Sequence, residues 1–154
     1  MAGPLLICFD GSEGARHALQ RAAEAFRGGP AIVVSAWEPI EAVRVVAPGL
    51  AGLVAGGVKA VNEQAEQQAE KLAEEGARLA REAGFDAEPL PLRAERGVPR
   101  GILEAAAERQ ASAIVIGSRG LGGVARMLGS VAYRVVNNAR CPVFIVPPPA
   151  AGEG

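Results

Sequence analysis

Residues 117–130 read Gly-Ser-Arg-Gly-Leu-Gly-Gly-Val-Ala-Arg-Met-Leu-Gly-Ser, the stretch of this chain best supplied with groups that grip an anion. Glycine has no Cβ to shield its peptide N–H, so several N–H groups can turn toward one oxyanion. A helix beginning at Ser130 would add its first free N–H donors and its positive dipole end. Ser130 contributes a hydroxyl, Arg119 and Arg126 contribute charge, and the stretch contains no acid. That combination suits phosphate held by main-chain groups. Two common phosphate loops do not fit. The pattern GxxxxGK(S/T) is absent, and no Lys follows Lys71. Gly120, Gly122 and Ala125 satisfy GxGxx(G/A), but that fingerprint needs an acid about twenty residues on, and none stands between Glu108 and Glu153.

Few other side chains offer chemistry. The chain has one His, two Cys and two Asp, so four zinc ligands at CxxC or HxxxH spacing are not available. A hydrolytic triad would have to run through His17, which lies off the inward stripe of its expected helix. Asp10 ends an apolar run, where an acid either caps the next helix or serves as ligand to a ribose or a metal. With no neighbouring acid to share a magnesium ion, it does not form a phosphoacceptor pocket. Cys8 reads as a core thiol, Cys141 as a structural one, and Trp37 as a residue that packs or stacks on a ligand. Sixteen bases against 17 acids, scattered in both signs, give a net charge of -1 and no basic stripe for nucleic acid. The segment MAGPLLICFDG has no basic start and too short an apolar run for a signal or a membrane span. With its unpaired thiols, the chain is expected in the cytoplasm.

The elements that must position these groups follow from period and punctuation. Leu5 to Phe9 is a continuous apolar run closed by Asp10-Gly11, which predicts a strand buried on both faces. Ser12 caps a helix over Glu13 to about Arg27, stopped by Gly28-Gly29-Pro30. Ala31 to Trp37 predicts the second strand. Residues 39–57, with Pro39, Pro48 and several glycines, predict an apolar loop or lid. Val58, Val61, Ala65, Ala69, Leu72, Gly76, Leu79 and Ala83 then recur at helical spacing. Phe85 to Ala94 predicts an edge strand because of Pro89 and Pro91. A helix from Pro99 to Gln110, a strand over Ala113 to Ile116, a helix from Ser130 to about Arg140 and a strand over Val143 to Val146 complete the order. The alternation predicts a single-domain α/β fold over residues 1–147, an open five-stranded, mostly parallel sheet with helices on both faces, followed by a loose tail at 148–154. Ligands of such sheets sit beyond the carboxyl ends of the strands, near Asp10, Trp37 and the loop from Gly117.

Asp10-Gly11-Ser12 after the first strand, Gly117-Ser-Arg-Gly120 with Gly129-Ser130, and the closing Cys141-Pro142-Val-Phe-Ile-Val resemble the universal stress protein family over about residues 4–147. The resemblance implies a Rossmann-like fold of the adenine nucleotide alpha-hydrolase type and an ATP-binding, nucleotide-responsive regulatory homodimer in the stress response. In such a dimer the last strands, Val143 to Val146, would pair. It places Cys8, Phe9 and Asp10 at the nucleoside, and the Ala36 backbone at adenine. Ile116, Gly117, Arg119, Gly120, Gly129, Ser130 and Val131 would surround the ribose and phosphates of ATP, with or without magnesium. No residue is assigned a catalytic role, and turnover would be slow hydrolysis at most. One departure matters. Eight residues separate Gly120 from Gly129 where the nucleotide-binding branch has nine, so the alternative is a stress-family dimer that works as a protein-interaction module without nucleotide.

Overall fold

The computed structural model describes residues 3–41, 47–119 and 128–150. Leu5–Cys8 forms the first strand, β1, and its side chains alternate between two apolar layers. Leu5 and Ile7 enter one core, with Phe9 just beyond the strand, while Leu6 and Cys8 enter the other. Glu13–Phe26 is helix α1, and the Ser12 hydroxyl accepts a hydrogen bond from the Ala15 N–H at 3.1 Å. Arg27 ends it in the left-handed region. Gly29–Trp37 is β2, beginning two residues earlier than the apolar run suggests. Phe85–Arg93 is β3, Val98–Glu108 is α3, Ala113–Gly117 is β4, Ser130–Asn138 is α4 and Val143–Val146 is β5.

The five strands lie in the order β3-β2-β1-β4-β5, every pair parallel. Helix α1 and the helix between β2 and β3 cover one face, and α3 and α4 cover the other. Two prolines in β3 are accommodated by register. Ala94 N–H donates to Trp37 C=O, so in the alternating ladder Pro89 and Pro91 stand on rungs that face away from β2, where a missing N–H costs no bond.

The segment 39–57 is not a loop throughout. Pro48–Leu50 makes a 3-10 turn, and a helix, α2, runs from Ala51 to Glu82, so residues 51–57 are helical. Pro48 precedes the first turn and so does not obstruct it. Gly52, Gly56 and Gly57 inside the helix each cost only about 1 kcal/mol of propensity, which the alanine-rich remainder sustains. Residues 42–46 of the expected lid lie outside the described residues. A second difference concerns the inward stripe. The buried positions of α2 are Ala69, Ala73, Gly76, Ala77 and Ala80, whereas Val61 is exposed. Length explains this. A helix of 32 residues spans about 48 Å, while nine-residue strands span about 30 Å, so the first half overhangs the sheet. The Asn62 side chain ties it back, donating to Ile40 C=O at 2.9 Å and accepting from Ile40 N–H at 2.8 Å.

Candidate functional site

The chain leaves β1 toward one face of the sheet and leaves β4 toward the other. Their loops part at the carboxyl edge and open a crevice between neighbouring strands. The first wall is Phe9-Asp10-Gly11-Ser12. Phe9 N–H still pairs with Val34 C=O at 2.9 Å, and its ring is 2% exposed beneath the guanidinium of Arg16. Asp10 is exposed. Its Oδ1 accepts from Ser12 N–H at 2.9 Å, which shapes the turn and leaves the second carboxylate oxygen for a ligand. Gly11 has φ +81°, open to glycine at little cost, and a Cβ there would stand 2.8 Å from Leu72 Cδ2. Cys8, partly buried in the core layer, has its thiol pushed up to about 12 by desolvation and, less, by the Asp10 carboxylate. It is a neutral packing group at physiological pH.

The second wall comes from the loop after β4. Ser118 N–H donates to Val146 C=O at 2.8 Å, and Gly129 N–H donates to Ser118 C=O at 2.7 Å. The chain thus returns to the end of β4 before α4 begins. No side chain caps α4, so the N–H groups of Ser130, Val131 and Ala132 open the helix without acceptors of its own. The two walls also touch. A Cβ on Gly14, in the first turn of α1, would lie 3.1 Å from Arg119 C=O, and one on Gly117 would lie 3.3 Å from Gly14 C=O. Glycine at both positions lets α1 and the β4 loop meet backbone to backbone.

The third component is the end of β2. Val34 C=O faces β1, Trp37 C=O faces β3, and residues alternate, so the N–H and C=O of Ala36 face the β1 side. There β1 has already turned away. Ala36 is the one residue of 31–37 that is not buried. Trp37 is 8% exposed, and Arg93 lies over its ring at 5.3 Å from the centroid, so it packs rather than presenting a free stacking face.

Of the residues singled out from sequence, Phe9, Asp10, Ala36, Gly117, Arg119, Gly129, Ser130 and Val131 flank this edge. Cys8 and Ile116 lie in the strands, Ile116 buried in the core layer. Gly120 and Arg126 lie outside the described residues. His17 is partly buried on α1, off the stripe formed by Ala15, Ala18, Leu19 and Ala22. Sequence reasoning passed over Gly14, Ser118 and Ser35. Only Ser35 carried a signal, a lone hydroxyl within an apolar β-branched run. Among the described residues no three His, Cys, Asp or Glu side chains gather to hold a metal ion. A groove of about 420 Å³ lies elsewhere, between β3 and α3, where its lining includes the paired ions Arg93 and Glu95.

What the edge offers a ligand is a set of main-chain donors, one carboxylate oxygen and a strand edge. The model of the universal stress protein family matches residues 1–147. The chain belongs to the universal stress protein family. A universal stress protein of Methanocaldococcus jannaschii is 35% identical over 152 residues, covering 94% of this chain and 82% of the relative. The universal stress protein YxiE of Bacillus subtilis is 31% identical over 150 residues, covering 95% and 99%. A solved universal stress protein in complex with cAMP is 24% identical, with a TM-score of 0.64 over 96% of this chain and 98% of its own. One from Archaeoglobus fulgidus in complex with dAMP is 22% identical, with a TM-score of 0.61 over 93% and 96%. At those identities the structural likeness establishes the shared α/β fold. Among the described residues no helix is long and apolar enough to cross a membrane.

Proposed function

We propose that this universal stress protein binds ATP at the crevice between β1 and β4 and acts as a nucleotide-responsive regulatory homodimer in the cytoplasm. The observation that carries the reading is the bond from Gly129 N–H to Ser118 C=O, which sets the uncapped start of α4 beside the end of β4, the parallel neighbour of the strand that runs out at Asp10. Phosphates would take the N–H groups of the 117–131 segment, to which Gly120 belongs by sequence. The ribose would take the free oxygen of Asp10, and adenine the edge of Ala36. A divalent cation, where present, would ride between the phosphates. The adenine nucleotides bound by the two solved relatives support this ligand class. Efficient hydrolysis needs a positioned base, and Asp10 already spends one oxygen on its own turn, so turnover is slow at most.

Pairing through β5 is supported by its place at the end of the sheet, with Val143, Phe144 and Ile145 only partly buried. On α4 beside it, Tyr133 is 60% exposed. The eight-residue spacing between Gly120 and Gly129 favours a second reading, a dimer that engages proteins without nucleotide. Calorimetric titration of ATP, with and without magnesium, into ligand-free protein separates the two. Binding that is lost in Gly120→Val supports the first. No heat and no thermal shift at millimolar ATP would select the second.

A further inference from the structure

Ser35 is the one buried polar side chain among the described residues, 3% exposed in a strand that is otherwise apolar around it. Its hydroxyl donates to Phe9 C=O at 2.6 Å. The acceptor it takes is informative. The parallel ladder between β1 and β2 runs to Phe9 N–H on Val34 C=O, and its next rung would be Ala36 N–H on Phe9 C=O. That rung is not made, and the Ser35 hydroxyl occupies its acceptor. The ladder therefore ends one hydrogen bond early. The N–H and C=O of Ala36 are left side by side on an edge that β1 has vacated at Asp10-Gly11.

An adjacent N–H and C=O on one extended residue complement the pairing edge of adenine, where the acceptor N1 sits beside the N6 amino donor. We propose that Ser35 is a positioning residue for the adenine subsite. By satisfying Phe9 C=O from the side, it keeps β1 from zipping onto Ala36 and holds that edge open for the base. The proposal rests on the nucleotide reading and adds to it the device that reserves Ala36. Without the hydroxyl, Phe9 C=O would be a buried acceptor lacking a donor, a costly state that the next rung of the ladder, from Ala36 N–H, would relieve. Ala36 would then be consumed by the sheet.

Two measurements test this. Amide hydrogen exchange of the ligand-free protein, followed residue by residue by NMR, needs no ligand. In the wild type the Ala36 amide should exchange much faster than that of Val34. In Ser35→Ala it should slow by at least about tenfold, and Ser35→Thr, which keeps the hydroxyl, should restore fast exchange. An Ala36 amide as protected as that of Val34 in the wild type overturns the proposal without any variant. Calorimetry then compares ATP with inorganic tripolyphosphate, which lacks the base. Ser35→Ala should weaken ATP by about tenfold, the worth of one net hydrogen bond, and leave tripolyphosphate unchanged. Equal loss for both ligands, or unchanged ATP affinity in a variant of a wild type that binds, overturns the positioning role while the nucleotide reading stands. A wild type that binds no ATP overturns both.

Discussion

Gly76 lies at the centre of the packing that supports the site, and replacing it with alanine tests that packing directly. An alanine Cβ at this position would stand 2.6 Å from Val33 Cγ1 and 2.8 Å from both Cδ1 and Cγ of the Phe9 ring. Carbon atoms in contact prefer about 3.5–4.0 Å, so the helix and the sheet would have to part by nearly 1 Å at this point. Neither neighbour can yield cheaply, because Val33 is 0% and Phe9 2% exposed. Overpacking of this kind costs about 1–3 kcal/mol, against which removal of a helical glycine returns up to about 1 kcal/mol. The expected net loss is about 1–2 kcal/mol, or a melting temperature lower by about 2–8 °C for a domain of this size. Gly57→Ala is the control. It lies in the same helix with nothing within 4 Å of its would-be Cβ, and is expected to raise the melting temperature by at most about 2–4 °C. Differential scanning calorimetry of the three proteins gives the answer. Because the Phe9 main chain pairs with Val34 and Ser35, Gly76→Ala should also weaken ATP binding. A Gly76→Ala protein as stable as the wild type would show that α2 does not press on β1 and β2 at this point.

Other expected outcomes rest on the same geometry. The Cys8 thiol, pushed up to about 12 by desolvation and, less, by the Asp10 carboxylate, should resist iodoacetamide at pH 8 until the protein unfolds; alkylation of Cys8 in the folded protein as fast as in the unfolded one would contradict that shift. Since that folded-state value lies above the ordinary 9.0, Cys8 contributes stability that is fully present below about pH 9 and is lost as pH rises toward 12. Cys8→Ala should therefore flatten the fall in unfolding free energy across that window, measured by denaturant titration. Asn62→Ala removes both bonds to Ile40 and should speed amide exchange in the first turns of α2 without moving exchange at Ala73 or Ala77. Gly14→Val would drive side-chain atoms against Arg119 C=O, and is expected to reduce ATP affinity by at least tenfold in calorimetry; retained affinity would dissociate α1 from the site.

Much of this protein is written locally. The apolar runs at 5–9 and 31–37, the prolines of β3 and the glycines of 117–130 predict strands, an edge and an anion-binding loop because each depends on the residue's own conformational limits or on a short period. The sheet then bears out the fold class, five strands with helices on both faces. The start of α2 was not legible. Pro48 and the glycines around it look like loop residues one at a time, whereas the helix depends on the cumulative propensity of the residues from Val58 onward.

What only the tertiary structure decided are the contacts between elements distant in sequence. Gly76 reads as a flaw in a helix until Phe9 and Val33 are seen filling the space its Cβ would need. Gly14 becomes meaningful only against the carbonyl of Arg119. Ser35 is an isolated hydroxyl in the sequence and the stopper of a ladder in the fold. Period and composition encode which face a residue turns inward, but close approach and unmade hydrogen bonds belong to pairs of segments. The sequence alone thus determined the layers of the fold, and register between strands decided that Ala36 is left with an open edge.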